Sequence, residues 1–126
     1  MLIFDVIIVN TDRHFGNFGL LVDNNTNKIV KTAPIFDNGL SLFCDALDED
    51  LEEISRYAKT KGMKNAGDFM VFAQNIMTKE MKHKLKKMIG FKFKRDNQYN
   101  LKSKRLKTIE IFIQTRVREL LSVKTK

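Results

Sequence analysis

Residues 7–21, IIVNTDRHFGNFGLL, set a cluster of polar and ionisable side chains between two apolar runs. The apolar flanks belong in a core, whereas Asn10, Asp12, Arg13, His14 and Asn17 resist burial unless each finds a partner. A loop held firmly at its buried edges reconciles the two demands, and such loops commonly carry catalytic groups. Upstream, residues 2–9 are apolar apart from Asp5 and read as the last turns of a buried helix that ends before Asn10. Downstream, residues 18–22 and 29–35 are apolar, β-branched runs joined by Asp-Asn-Asn-Thr-Asn-Lys, a strong turn signal, so they predict a β-hairpin. Pro34 shapes the end of the second strand, and Asp37-Asn38-Gly39 predicts a further turn.

Beyond Asp48 the apolar period changes from two to that of a helix. Leu47, Leu51, Ile54 and Ala58 recur at helical spacing until Gly62 stops the run. A second helix is expected from about Asn65, with Phe69, Phe72, Ala73 and Ile76 on its inner face, and a third from about Thr78 to Gly90, with Met81, Leu85, Met88 and Ile89. Residues 91–100 read as a polar connection. A last helix over about 101–121 aligns Leu106, Ile109, Ile113, Val117 and Leu120. The expected fold is α+β and mostly helical: one domain over 1–126, with loop, hairpin and turn in 1–45 and a helical subdomain in 46–126.

Composition bounds the function. At 43% hydrophobic and 30% charged, with one Pro, the 126 residues have the make-up of a folded domain rather than a disordered one. The opening MLIFDVIIV is too short for a bilayer, which needs about 20 apolar residues, and it carries Asp5; no membrane role is expected. Cys44, the single cysteine, cannot form an internal disulfide; it reads as a small buried hydrophobe or bystander thiol and points to a reducing, cytoplasmic setting. The net charge of +8 is uneven: residues 1–57 hold four basic and ten acidic residues, whereas residues 58–126 hold nineteen basic and five acidic ones. A Lys-rich half is commonly a solvated face, and it can also attract an anionic partner. His83, among those lysines, is expected to be exposed.

Asp12 and Asn17 form D-x-x-x-x-N, the separation of the catalytic-loop Asp and metal-binding Asn of protein kinases. Asp37-Asn38-Gly39 has the D-x-G form of their metal-binding turn. Phosphoryl transfer needs a carboxylate that takes the hydroxyl proton and oxygen ligands for Mg²⁺, and a hairpin between the two motifs folds them toward one cleft. Each motif alone is common, and Asp-Asn-Gly is also an ordinary turn. Joined in this order, DVIIVNTDRHFGNFGLL and KTAPIFDNGLSL resemble the catalytic half of HipA-like serine/threonine kinases over roughly residues 3–43. The resemblance implies a protein-kinase-like C-terminal lobe of HipA type, acting with ATP and Mg²⁺ on a protein substrate. It implies Asp12 as general base, His14 as a brace of the catalytic loop, and Asn17 and Asp37 as cofactor-binding residues and Mg²⁺ ligands. A hydrogen-bonded turn histidine is the plainer reading of His14, and the two are compatible. Phosphoinositide-type lipid kinases share D-R-H-x-x-N but usually follow it with Asp-Phe-Gly, whereas here Phe36 precedes Asp37.

A Gly-rich loop, a strand Lys and a partner Glu over ATP find no counterpart, and the six glycines are scattered. The expectation is therefore a kinase lobe inactive by itself, completed by a separately encoded nucleotide lobe or self-associating through its apolar N-terminal helix. A different class of function is also open: a non-catalytic basic helical module that binds nucleic acid or an acidic protein through residues 59–126, where FKFKRDNQY interleaves basic and aromatic residues.

Overall fold

The computed structural model describes residues 1–125. Helix α1 (Leu2–Ile8) buries Val6, Ile7 and Ile8, as its apolar run requires. It ends at Val9, whose φ of 52° lies in the left-handed region that β-branched residues avoid. Strands β1 (Leu20–Val22) and β2 (Ile29–Thr32) form the expected antiparallel ribbon, with a bulge between Leu21 and Val22. Its turn is closed by the Asp23 carboxylate, which accepts from the backbone N–H of Asn25 and Thr26 and from the Thr26 hydroxyl. Both strands are shorter than the sequence predicts.

The helical body follows: α2 (Ile54–Lys59), α3 (Phe69–Ile76), α4 (Lys79–Leu85) and α5 (Ser103–Ser122). The long α5 is the axis of the core, packed against α1, α2 and α4, while α1 also meets α3. Leu106, Ile109, Ile113, Val117 and Leu120 are all buried, as their stripe predicts. The molecule is thus a small α+β domain, largely helical, with one two-stranded sheet. No helix among the described residues is long and apolar enough to cross a membrane.

Several expectations need correction. The flank at 18–22 is not in the core: every residue of β1 and β2 is exposed, because a two-stranded ribbon with no layer over it leaves both faces uncovered. Leu47 is 67% exposed and precedes α2, which begins only at Ile54. The intervening acidic segment forms turns, one of them closed by the Asp50 carboxylate, which accepts from Leu47 N–H. The second helix starts at Phe69 rather than near Asn65. Residues 63–67 form a tight turn with Asn65 and Gly67 at positive φ, and Asp68 caps α3 by accepting from Met70 and Val71 N–H. Helix α4 gives way to a 3-10 turn at Lys86–Met88, leaving Ile89 exposed. The connection 91–100 is less polar than it reads, since Phe91 and Phe93 pack edge to face on the core. Cys44 is exposed, and so is His83 as expected.

Candidate functional site

The polar loop is organised by one buried ion pair. Asp5, fully buried on α1, holds Arg13 through its Nε and Nη2 at 2.9–3.2 Å and also accepts from Asn10 Nδ2. The Arg13 Nη1 group donates to the carbonyl of Asn17 at 2.7 Å and to that of Phe36 at 2.8 Å, and Nη2 donates to Asn38 Oδ1 at 2.6 Å. Every N–H of the guanidinium is therefore used. Arg13 joins the helix, the loop and the residues on either side of Asp37. Two backbone bonds lay the chain after the turn along the loop: Thr11 N–H to Leu40 O and Leu42 N–H to Ile8 O.

On this frame Asp12 is a surface carboxylate with a fixed backbone. Its N–H donates to Asn10 Oδ1 and its carbonyl accepts from Asn17 Nδ2. Its Oδ1 accepts from Lys64 Nζ at 2.7 Å, and Oδ2 lies 3.9 Å from His14 Nε2. The hydrogen bond from Lys64 holds the Asp12 carboxyl below its ordinary 3.8, aided by the Lys64 charge and opposed by partial desolvation. Because the folded value is depressed, the stabilisation from this contact is present above the ordinary value and lost as pH falls through the lowered one. Lys64→Ala is expected to return the Asp12 titration toward 3.8, read by carboxyl carbon NMR.

His14 is hydrogen-bonded within the turn and caps the 3-10 turn at Phe15–Asn17. Its Nδ1 accepts from Gly16 N–H, so its proton sits on Nε2, facing Asp12. Gly16 leaves room for this contact, since a Cβ there would meet His14 Cε1 at 3.0 Å. Asn17 lies 2% exposed behind the loop, and its Oδ1 accepts from His14 N–H at 2.9 Å and from Arg13 Nη1 at 3.4 Å. An ion at Asn17 therefore has to displace the His14 N–H. Asp37 differs: it is exposed, at φ 56°, with Phe36 and Asn38 gripped by Arg13 on either side. Its carboxylate suits a hard cation, which Mg²⁺ takes with one or two protein carboxylates alongside phosphate and water. No cluster of three His, Cys, Asp or Glu among the described residues forms a protein-only metal cage.

Backbone strain gathers at the same place. Of the non-glycine residues at positive φ, Val9, Asp37, Leu42 and Phe43 flank the loop and the turn, whereas Asn27 and Asn65 occupy ordinary turns. Such conformations cost of the order of 1–3 kcal/mol each and concentrate at functional sites. No protein-family model matches this chain, nor does any curated protein or solved structure.

Sequence reasoning misses Lys64 and the clamp. Asp5 is the signal that could have found the clamp: a lone carboxylate in a buried helix needs a partner, and Arg13 is the nearest cation along the chain. Lys64 stands 52 residues from Asp12 and has no local signature.

Proposed function

We propose that this chain is the catalytic lobe of a HipA-like serine/threonine kinase, an ATP-dependent protein phosphotransferase that acts once a nucleotide-covering lobe joins it. The observation that carries the reading is the Arg13 clamp, which ties the bend bearing Asp12 to the residues on both sides of Asp37. A phosphotransferase needs a proton acceptor and a cation ligand held in fixed relation, and one buried guanidinium supplies that relation. Asp12 takes the hydroxyl proton of the substrate side chain after turning from Lys64. Asp37, with Asn17 if its Oδ1 gave up the His14 N–H, would hold Mg²⁺, which would supply charge neutralisation at the phosphates. His14 keeps the loop in shape through Gly16. The uncovered ribbon favours contact with a covering lobe, since its exposed leucine, isoleucine and valine side chains suit burial. A cytoplasmic setting fits the lone exposed thiol. Of the basic and aromatic stretch, Phe91 and Phe93 pack on the core and Arg95 pairs with Glu110, which leaves Tyr99 as its exposed aromatic side chain.

Titrating the chain with Mg²⁺–ADP while following backbone amide NMR tests the proposal. Weak saturable shifts at residues 12–17 and 36–39, abolished by Asp37→Ala, are expected. Shifts that do not need Mg²⁺, or that survive Asp37→Ala, overturn it.

A further inference from the structure

The segment between α4 and α5 lies along the long helix and turns its basic side chains outward. Phe91 and Phe93 pack on the core, while Lys92 and Lys94, which alternate with them, are exposed. Gln114 Nε2 donates to the Phe91 carbonyl at 3.0 Å, Glu110 Oε1 accepts from Phe93 N–H at 2.7 Å, and Glu110 Oε2 accepts from Arg95 Nη2 at 3.1 Å. The partners on α5 fall from 114 to 110 as the segment rises from 91 to 95, so it runs antiparallel to the helix. Lys107, Ile111 and Arg118 stand three or four residues from Glu110 or Gln114, which puts them on the same side of α5. All three are exposed, Ile111 at 65%. At one end of this face, the Asp96 turn leads back to the start of α5 and holds Tyr99 85% exposed. At the other, exposed Lys86 and Lys87 lie in the 3-10 turn that also touches α5.

Residues 58–126 hold five acids, and each is engaged elsewhere. Asp68 caps α3, Glu80 pairs with Lys84, Asp96 closes its own turn, Glu110 holds Arg95, and Glu119 lies against Arg116. Lys86, Lys87, Lys92, Lys94, Lys107 and Arg118 therefore share one face without a carboxylate partner among the described residues. Crowding like charges costs stability through repulsion, which a polyanion relieves. A nucleic-acid strand offers a row of phosphates for the cations and flat bases for an exposed ring, the combination by which single strands are held without sequence preference. We infer that this face binds single-stranded nucleic acid, its phosphates met by Lys92, Lys94, Lys107 and Arg118 and a base stacked on Tyr99. Ile111 gives the strand apolar contact between the cations. Tyr99 argues against an acidic peptide, which would meet the cations and leave the ring in water. The face shares no residue with Asp12, Asp37 or the clamp, so it stands or falls apart from the kinase reading.

The test is fluorescence anisotropy of a labelled oligothymidylate of about 20 nucleotides, enough for a site of this kind, titrated with the full chain. Saturable binding is expected, with log K falling against log salt at a slope of about −3, since each phosphate met on a single strand contributes about −0.7. The variant Lys92→Gln/Lys94→Gln, at exposed positions that leave the fold intact, is expected to halve that slope and to weaken binding at low salt by about tenfold. Tyr99→Ala is expected to weaken binding by about fivefold with the slope unchanged, the mark of a lost stack rather than a lost charge. Lys28→Gln/Lys31→Gln, which removes the same charge from the ribbon, is expected to bind as the parent does. The inference is overturned if the chain leaves the anisotropy unchanged at low salt, or if the ribbon variant loses as much as the Lys92/Lys94 variant. It is equally overturned if Tyr99→Ala binds as the parent does, or if a duplex or polyglutamate of equal charge competes as well as unlabelled oligothymidylate.

Discussion

Arg13→Ala is expected to lower the stability of the domain by about 3–5 kcal/mol, the cost of leaving a buried charge without its partner. Asp5 is fully buried and would keep only Asn10 Nδ2, the carbonyls of Asn17 and Phe36 would lose their donor, and the amide oxygen of Asn38 would keep only the long contact from Asn10 Nδ2. Against a total of about 5–15 kcal/mol for a domain, that is a large fraction. Urea unfolding followed by circular dichroism measures it. Asp5→Ala is expected to cost a similar amount. The double variant Asp5→Ala/Arg13→Ala is expected to cost clearly less than the two single losses added together, because neither charge is then stranded. Strict additivity would show that Asp5 and Arg13 act separately, contrary to the clamp.

Phe112→Ala carries the other large effect, about 3–5 kcal/mol, the usual range for a large aromatic removed from a core. Phe112 is 5% exposed on α5 and meets Phe43 edge to face at 4.8 Å. Phe43 in turn touches Tyr57, so the ring joins the long helix to the strained segment after the Asp37 turn. Arg105 grips the same segment from α5 through the carbonyls of Phe43 and Ala46. The expected fall in Tm is roughly 10–20 °C, measured by thermal melting. Phe112→Leu should recover most of the loss, since it keeps volume and apolarity.

Helix α5 is legible because it is long and its stripe repeats over many turns, so local pattern and tertiary burial agree. Helices α2 and α3 start later than their patterns suggest, because turns precede them: the Asp50 carboxylate holds Leu47 N–H ahead of α2, and the 63–67 turn runs up to Asp68, which caps α3. The ribbon is legible as a hairpin through its turn residues, yet its exposure is not, since apolar sequence does not say whether a covering layer exists. At the loop, residue type and spacing single out Asp12, His14 and Asn17, which hydrogen bonds within the loop bring together. The contact between Lys64 and Asp12 escapes any local pattern, because it depends on how the 63–67 turn meets the loop in three dimensions.

The frame of the loop and its surface contact respond differently to ionic strength. The Asp5–Arg13 pair is sealed from solvent, so dissolved ions have little access to it. Lys64 and Asp12 are both substantially exposed, and counterions screen such pairs over a Debye length of about 8 Å at physiological salt. Raising sodium chloride should therefore loosen Lys64 from Asp12 while the scaffold beneath stays intact, releasing the carboxylate without unfolding the loop that carries it.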